Sequence, residues 1–269
     1  MPQCLRTFCN GLLRFTRNDG LFTTHHSRLT KAAFTLAETL IVIGIIGVVA
    51  ALTLPNLNHA TGDKETVTRV KKIYSSLTEA LDRSQVIYGD FDTWFTGVTD
   101  VAQRNEIFAK RITEFLKVSK DCGTGEGCFS TAPLLDTDGS QALANFYSFL
   151  AGNSDQTVML PDGISIAFQN LNNTTNTKAY IYVDVDGPNR GKNRCGADIF
   201  TFTIYIGETL ANTEGVKINQ LIPNGTPGNW TGDYDLGKNI ETAWAIQNGN
   251  LDYLKCPDEL NWETQTSCR

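Results

Sequence analysis

One charge, Glu38, interrupts an otherwise unbroken apolar run from Phe34 to Leu54, and no other feature restricts the chain as strongly. A helix of these twenty-one residues would extend about 30 Å, which matches the hydrocarbon thickness of a bilayer. A carboxylate inside hydrocarbon costs on the order of 2.5–3.5 kcal/mol even on lenient insertion scales. Either the segment is not a membrane helix or Glu38 has a partner. Beyond Pro55 the helical period continues: Val67, Val70, Ile73, Tyr74, Leu77 and Leu81 recur at three- and four-residue spacing, with charged residues between them. The pattern predicts one long helix, apolar all round in its first half and amphipathic in its second, with kinks at Pro55 and Gly62.

Charge is distributed unevenly along the chain. Arg6, Arg14, Arg17, Arg28 and Lys31 lie in the first 33 residues with Asp19 as the only acid there, which leaves the remainder near −10 against a whole-chain charge of −6. The positive-inside bias places this basic leader in the cytoplasm and the rest outside. An acidic body makes nucleic acid an improbable partner, since that affinity rests on Lys and Arg neutralising phosphates. Lys71 and Lys72 could form a small basic patch or simply the solvated face of the long helix. The three histidines are His25, His26 and His59, so the region past residue 60 has none. Histidine triads and most zinc chemistry are thereby removed from the body, and no nucleophile motif stands out.

After residue 87 the pattern is helix and then strand. Amphipathic helices fit 100–118, with Ile107, Phe108, Ile112, Phe115 and Leu116 inward, and 140–151. "TVMLPDGISIAF" reads as strand, Pro-Asp-Gly turn, strand. "KAYIYVDVD" and "IFTFTIYIG" are further strands; 207–241 reads mostly as loop, and the tail "TAWAIQNGNLDYLKC" has no clear assignment. Helices followed by strands predict an α+β fold, the long helix packed on an antiparallel sheet. Five of the seven cysteines follow the apolar run, and in an oxidising compartment most of them should pair. Cys122 and Cys128 bracket a flexible Gly-rich loop, and Cys256 and Cys268 bracket the last segment. Cys195 is the odd thiol in that scheme, and its pairing with Cys256 or Cys268 is the alternative.

"DVDGPNRGKNRCGAD" places Asp184, Asp186, Asn189, Asn193 and Asp198 within fifteen residues. Hard oxygen ligands crowded in a loop suit calcium, though the spacing is not that of an EF-hand, because Pro188 occupies a ligand position. The alternative is an Asx-rich turn whose side chains cap backbone groups.

The N-terminal residues resemble the type IV pilin and type II secretion pseudopilin superfamily. The matching residues are Lys31, Ala33, then Phe34, Thr35, Leu36, Ala37 and Glu38, the helix glycines Gly44 and Gly47, and Pro55. Counting from Phe34, Glu38 is fifth and Pro55 twenty-second, as in that signature. Ala33 departs from the glycine usual before the cut. The resemblance implies a chain divided into a cleaved leader (1–33), a transmembrane and assembly helix (34–55), the amphipathic half of the helix (56–86) and a pilin-like α+β domain (87–269). It implies cleavage between Ala33 and Phe34 by a prepilin peptidase and N-methylation of Phe34. It also implies pairing of Glu38 with the new amine of a neighbouring subunit. The implied product is a single-pass protein of the cytoplasmic membrane with its body outside, in contact with lipid, an assembly platform and other subunits, that ends in a filament, on the cell surface or in the periplasm. It would not be an enzyme and would require no cofactor; calcium is allowed because some pseudopilins carry a calcium loop between late strands. The rival is a membrane-anchored extracytoplasmic binding protein, or a minor pilin that captures DNA or another ligand.

Overall fold

A computed structural model describes residues 36–170, 178–191, 193–206, 217–225 and 241–269; Ala33, Phe34 and the leader lie outside these. The chain divides into two units, Met1–Ala51 and Leu52–Arg269. Helix α1 is Leu36–Tyr88 and continues through Pro55 and Gly62, so neither ends it. In the first unit the described side chains run from Leu36 to Val49, and all are exposed. The expectation of a transmembrane first half is corrected here. Among the described residues no helix is long and apolar enough to cross a membrane.

The second unit is α+β. Strands β1 (Lys120–Gly123), β4 (Gln156–Met159), β5 (Ser165–Asn170), β6 (Lys178–Asp184), β7 (Ile199–Tyr205) and β8 (Leu221–Pro223) form one sheet. Their order is β1-β4-β5-β6-β7-β8, and each neighbouring pair is antiparallel. Both faces of the central strands are covered, which is why every residue of β5, β6 and β7 is buried. The period of two sorts them. Ile166, Phe168, Ile181, Val183, Phe200 and Phe202 join Val67, Val70, Ile73, Leu77 and Leu81 of α1 in the main core. Ala167, Tyr180, Tyr182 and Ile199 face a smaller core with Phe129, Leu134, Phe146 and Leu150. Each fully buried aliphatic or aromatic side chain contributes about 1.5–3 kcal/mol relative to exposure. Tyr74 stacks on Phe202, with ring centroids 5.6 Å apart and planes inclined by 5°.

Helix α2 is Val101–Thr113; the Asp100 carboxylate caps it by accepting from Gln103 N at 2.9 Å. It stops short of the expected residue 118 because Phe115 N and Leu116 N bond three residues back, to Ile112 O and Thr113 O, which tightens the last turn. Phe108 stands edge-on to Phe91 and Phe168 at 5.0 and 5.2 Å. The expected helix 140–151 is shorter. Gln141–Leu143 forms β3, paired with β2 (Leu134–Leu135), and α3 begins at Phe146 because Asn145 accepts from Ser148 N at 2.9 Å. Several elements were not legible in the sequence, the short strands β1, β2 and β3 among them. β8 pairs at the sheet edge, the one place where Pro223 is tolerated in a strand. Helix α4 (Glu241–Asn248) lies in the unassigned tail, where Trp244 packs edge-on to Trp262 at 4.7 Å and donates to Asn250 Oδ1.

Candidate functional site

The β6–β7 connection gathers part of the acidic constellation. Asp184 ends β6 and is 1% exposed; Asp198, 5% exposed, immediately precedes β7. One oxygen of Asp184 behaves as an Asx turn predicts: Oδ1 accepts from Asp186 N at 3.2 Å and Gly187 N at 2.8 Å. The other does not. Asp184 Oδ2 and Asp186 Oδ1 are both buried and receive no donor from any other group; a proton held on Asp184 bonds the two carboxyl groups to each other. Burial, then the hydrogen bond and charge of Asp186, then the charge of Asp198, hold the Asp184 carboxyl well above the ordinary carboxylate range, against the Gly187 N–H. The loop folds over this group at Gly191, whose φ of +73° favours glycine. A Cβ there would overlap Asp198 Oδ2 and lie 2.9 Å from Asp186 Oδ1, so only a glycine lets the chain pass so close to the carboxylates.

The five predicted ligands thus do not all converge. Asp184, Asp186 and Asp198 come together, whereas Asn189 is exposed at the loop tip. Asn193 is buried with φ +47°, and its carbonyl accepts Leu135 N at 2.7 Å. Arg194 turns its guanidinium to Thr137 O, while its backbone N–H donates to Asp198 Oδ1. The described residues include no group of three or more His, Cys, Asp or Glu side chains set to hold a metal ion, so a cation here would draw on amide or backbone oxygens as well.

Glu38 lies in the first turn of α1 and is exposed; a carboxylate there is favoured by the helix dipole. Disulfides join Cys122 to Cys128 (S–S 2.10 Å) and Cys256 to Cys268 (2.05 Å); Cys195 is buried outside both. Lys71 is exposed, and Lys72 is taken up by Asp162 at 2.8 Å.

Residues 56–239, about two thirds of the chain, match the profile of DUF6613, described as a family of unknown function. The chain belongs to the DUF6613 family. No curated protein and no solved structure matches it. In this DUF6613 chain the matched region contains most of α1, the whole sheet and the acidic loop.

A second buried acid escaped the sequence analysis. Asp155 is 0% exposed and receives Gln169 Nε2 at 3.0 Å and Asn105 Nδ2 at 3.3 Å; Gln169 Oε1 in turn accepts Tyr182 Oη at 3.0 Å. Burial pushes Asp155 up to about 8, and the Gln169 N–H opposes it. Asp155 carries no sequence signal, since "NSDQ" reads as an ordinary turn before a strand.

Proposed function

We propose that this DUF6613 chain is a structural subunit of pilin or pseudopilin type. A prepilin peptidase cuts it between Ala33 and Phe34, and it assembles with like subunits through the first half of α1. The observation that carries this reading is the exposed apolar surface of residues 36–49. Leu40, Ile41, Ile43, Ile45 and Ile46 each expose 60% or more of their surface, in a run of the pilin signature. Contiguous apolar surface of this kind marks an interaction site, and Gly44 and Gly47, where an added Cβ would meet nothing within 4 Å, leave room for a neighbouring helix to approach. Glu38 then pairs with the methylated amine of Phe34 on a neighbouring subunit, which offsets the cost of burying either charge. The partners on this reading are the peptidase, other subunits, lipid and an assembly platform at the cytoplasmic membrane. The two disulfides support a body that works outside the cytoplasm. The protein is a scaffold and not a catalyst. Intact-mass measurement of the protein from cells with an active peptidase tests this: the expected chain starts at Phe34, and a retained leader would overturn the reading.

The acidic loop is part of the same proposal, as a calcium site. Its support is the pair of buried oxygens, Asp184 Oδ2 and Asp186 Oδ1, that receive no donor from outside the cluster, under a loop that only Gly191 can close. The three carboxylates are not by themselves set to hold a metal ion, so a bound ion would take amide or backbone oxygens of the loop as well and lock the β6–β7 connection. Calcium titrated into the full-length protein should release heat and raise its melting temperature above that in EDTA; neither change would remove calcium from the reading.

A further inference from the structure

Between α1 and the end of α2 the body has an open cleft of about 400 Å³, within the range of small-molecule sites. Along one wall Lys72, Ser76, Ala80 and Arg83 of α1 recur at three- and four-residue spacing and so share a face. That wall is straight and about 16 Å long from Lys72 to Arg83. The tightened turn that ends α2 brings Phe115, Leu116 and Lys117 to the cleft, and Leu160 and Pro161, where β4 runs into its turn, complete it. The lining between the charged groups is apolar. Ala80 is 1% exposed and Leu160 9%, while Phe115 and Leu116 are half-buried against the main core.

The charges around this lining do not cancel. Lys72, Arg83 and Lys117 stand against Glu79 and Asp162, an excess of one positive charge in a chain whose whole charge is −6. Two pairs close on themselves: Lys72 to Asp162 at 2.8 Å and Arg83 to Glu79 at 2.5 Å. Lys117 is the cation left over, exposed and without an acid partner among the described residues. A single unanswered cation beside apolar surface is complementary to a ligand with one negative charge and an apolar remainder. A neutral ligand leaves the lysine unanswered, and a dianion brings a second charge that Glu79 and Asp162 repel. We propose that this cleft is a binding site for a monocarboxylate with an unbranched apolar tail, the chemical class of a medium-chain fatty acid. The tail lies along the α1 wall and removes Ala80, Leu116 and Leu160 from water, and the carboxylate accepts from Lys117 Nζ. The straight wall is what suits an unbranched tail. This site is separate from the acidic loop and does not depend on the pilin or calcium readings.

The test is calorimetric titration of sodium octanoate into the full-length protein in a nonionic detergent, with the heat of octanoate entering protein-free micelles subtracted. Octanamide supplies the same tail without the charge, and acetate the charge without the tail. Three variants accompany wild type. Lys117→Glu reverses the unpaired cation, Ser76→Leu fills the middle of the α1 wall, and Lys110→Glu makes the same charge change at an exposed position of α2 outside the cleft. The expected result is saturable octanoate binding to wild type, with octanamide and acetate about tenfold weaker or more, as for the loss of a hydrogen bond to a charged group or of the apolar contact. Lys117→Glu and Ser76→Leu should each weaken octanoate about tenfold or more, and Lys110→Glu should leave it unchanged. Octanamide that binds as well as octanoate, or a Lys117→Glu variant that binds as wild type, overturns the proposal. So does equal weakening by Lys110→Glu and Lys117→Glu, which would report overall charge alone. A wild type that gives no heat beyond that of the micelles removes the site.

Discussion

On the pilin-type reading, Glu38→Ala should leave the folded body intact and abolish filament assembly. The side chain is exposed in the first turn of α1, and alanine is the better helix former, so the substitution removes no packing in the subunit. The dipole interaction of a first-turn carboxylate accounts for about 0.3–1 kcal/mol of the local loss. In a filament the balance differs. Removing one member of a buried ion pair strands the other charge in low dielectric, at about 3–5 kcal/mol per subunit, and the cost recurs at every subunit added. Circular dichroism and melting of the variant should therefore match wild type, while sedimentation and electron microscopy find no filaments. Glu38→Gln keeps the shape and removes the charge, and it should fail in the same way. Normal filaments from either variant would mean that Glu38 does not pair with the Phe34 amine.

The second large effect is on stability against pH, and it originates at Asp155. Its folded-state pKa of about 8 lies above the unfolded value, so between roughly pH 4 and pH 8 the native protein holds a proton that the unfolded chain has released. Stability from this group is full below the unfolded pKa and is lost as pH rises through the folded one. The slope in that window approaches about 1.4 kcal/mol per pH unit. Asp155→Asn supplies the neutral form permanently. The new amide needs an acceptor, which Gln169 provides by turning its side-chain amide over, since Tyr182 Oη can accept as well as donate. The variant should be less stable than wild type at pH 4, or equal to it, and more stable at pH 8. Asp184, also shifted upward by its burial, adds its slope to wild type and variant alike, so the difference between them isolates Asp155. Melting temperatures that fall with pH as steeply in Asp155→Asn as in wild type would show that Asp155 does not carry the dependence.

Much of the fold was legible because it is encoded at short range. The positions of Val67, Val70, Ile73, Leu77 and Leu81 show an apolar helix face, and the alternation in "KAYIYVDVD" and "IFTFTIYIG" shows strands. The Pro161-Asp162-Gly163 turn marks a hairpin because its backbone needs suit those residues, and β4 and β5 pair across it from Gln156–Phe168 to Met159–Ser165. The shortened α2 and α3 were less legible, since periodicity shows a face but not where capping groups end it. β8 was missed because three residues at an edge have too little pattern to register.

The acidic loop divides along the same line. The sequence by itself determined that five oxygen-bearing side chains are crowded between two strands, and that Glu38 is the one charge in a long apolar run. Only the tertiary structure decided which of those side chains converge. Asp184, Asp186 and Asp198 meet because β6 and β7 pair in register from Asp184–Ile199, which draws both ends of the loop together. Gly191 closes over them, and Asn189 is left at the exposed tip. Arg69 reaches Val185, and Gln169 and Asn105 reach Asp155, from elements far away in the chain. Spacing along a chain reports which side chains share a face. Which faces meet, and which buried oxygen is left without a donor, depends on the packing of the whole body and the exclusion of water from it.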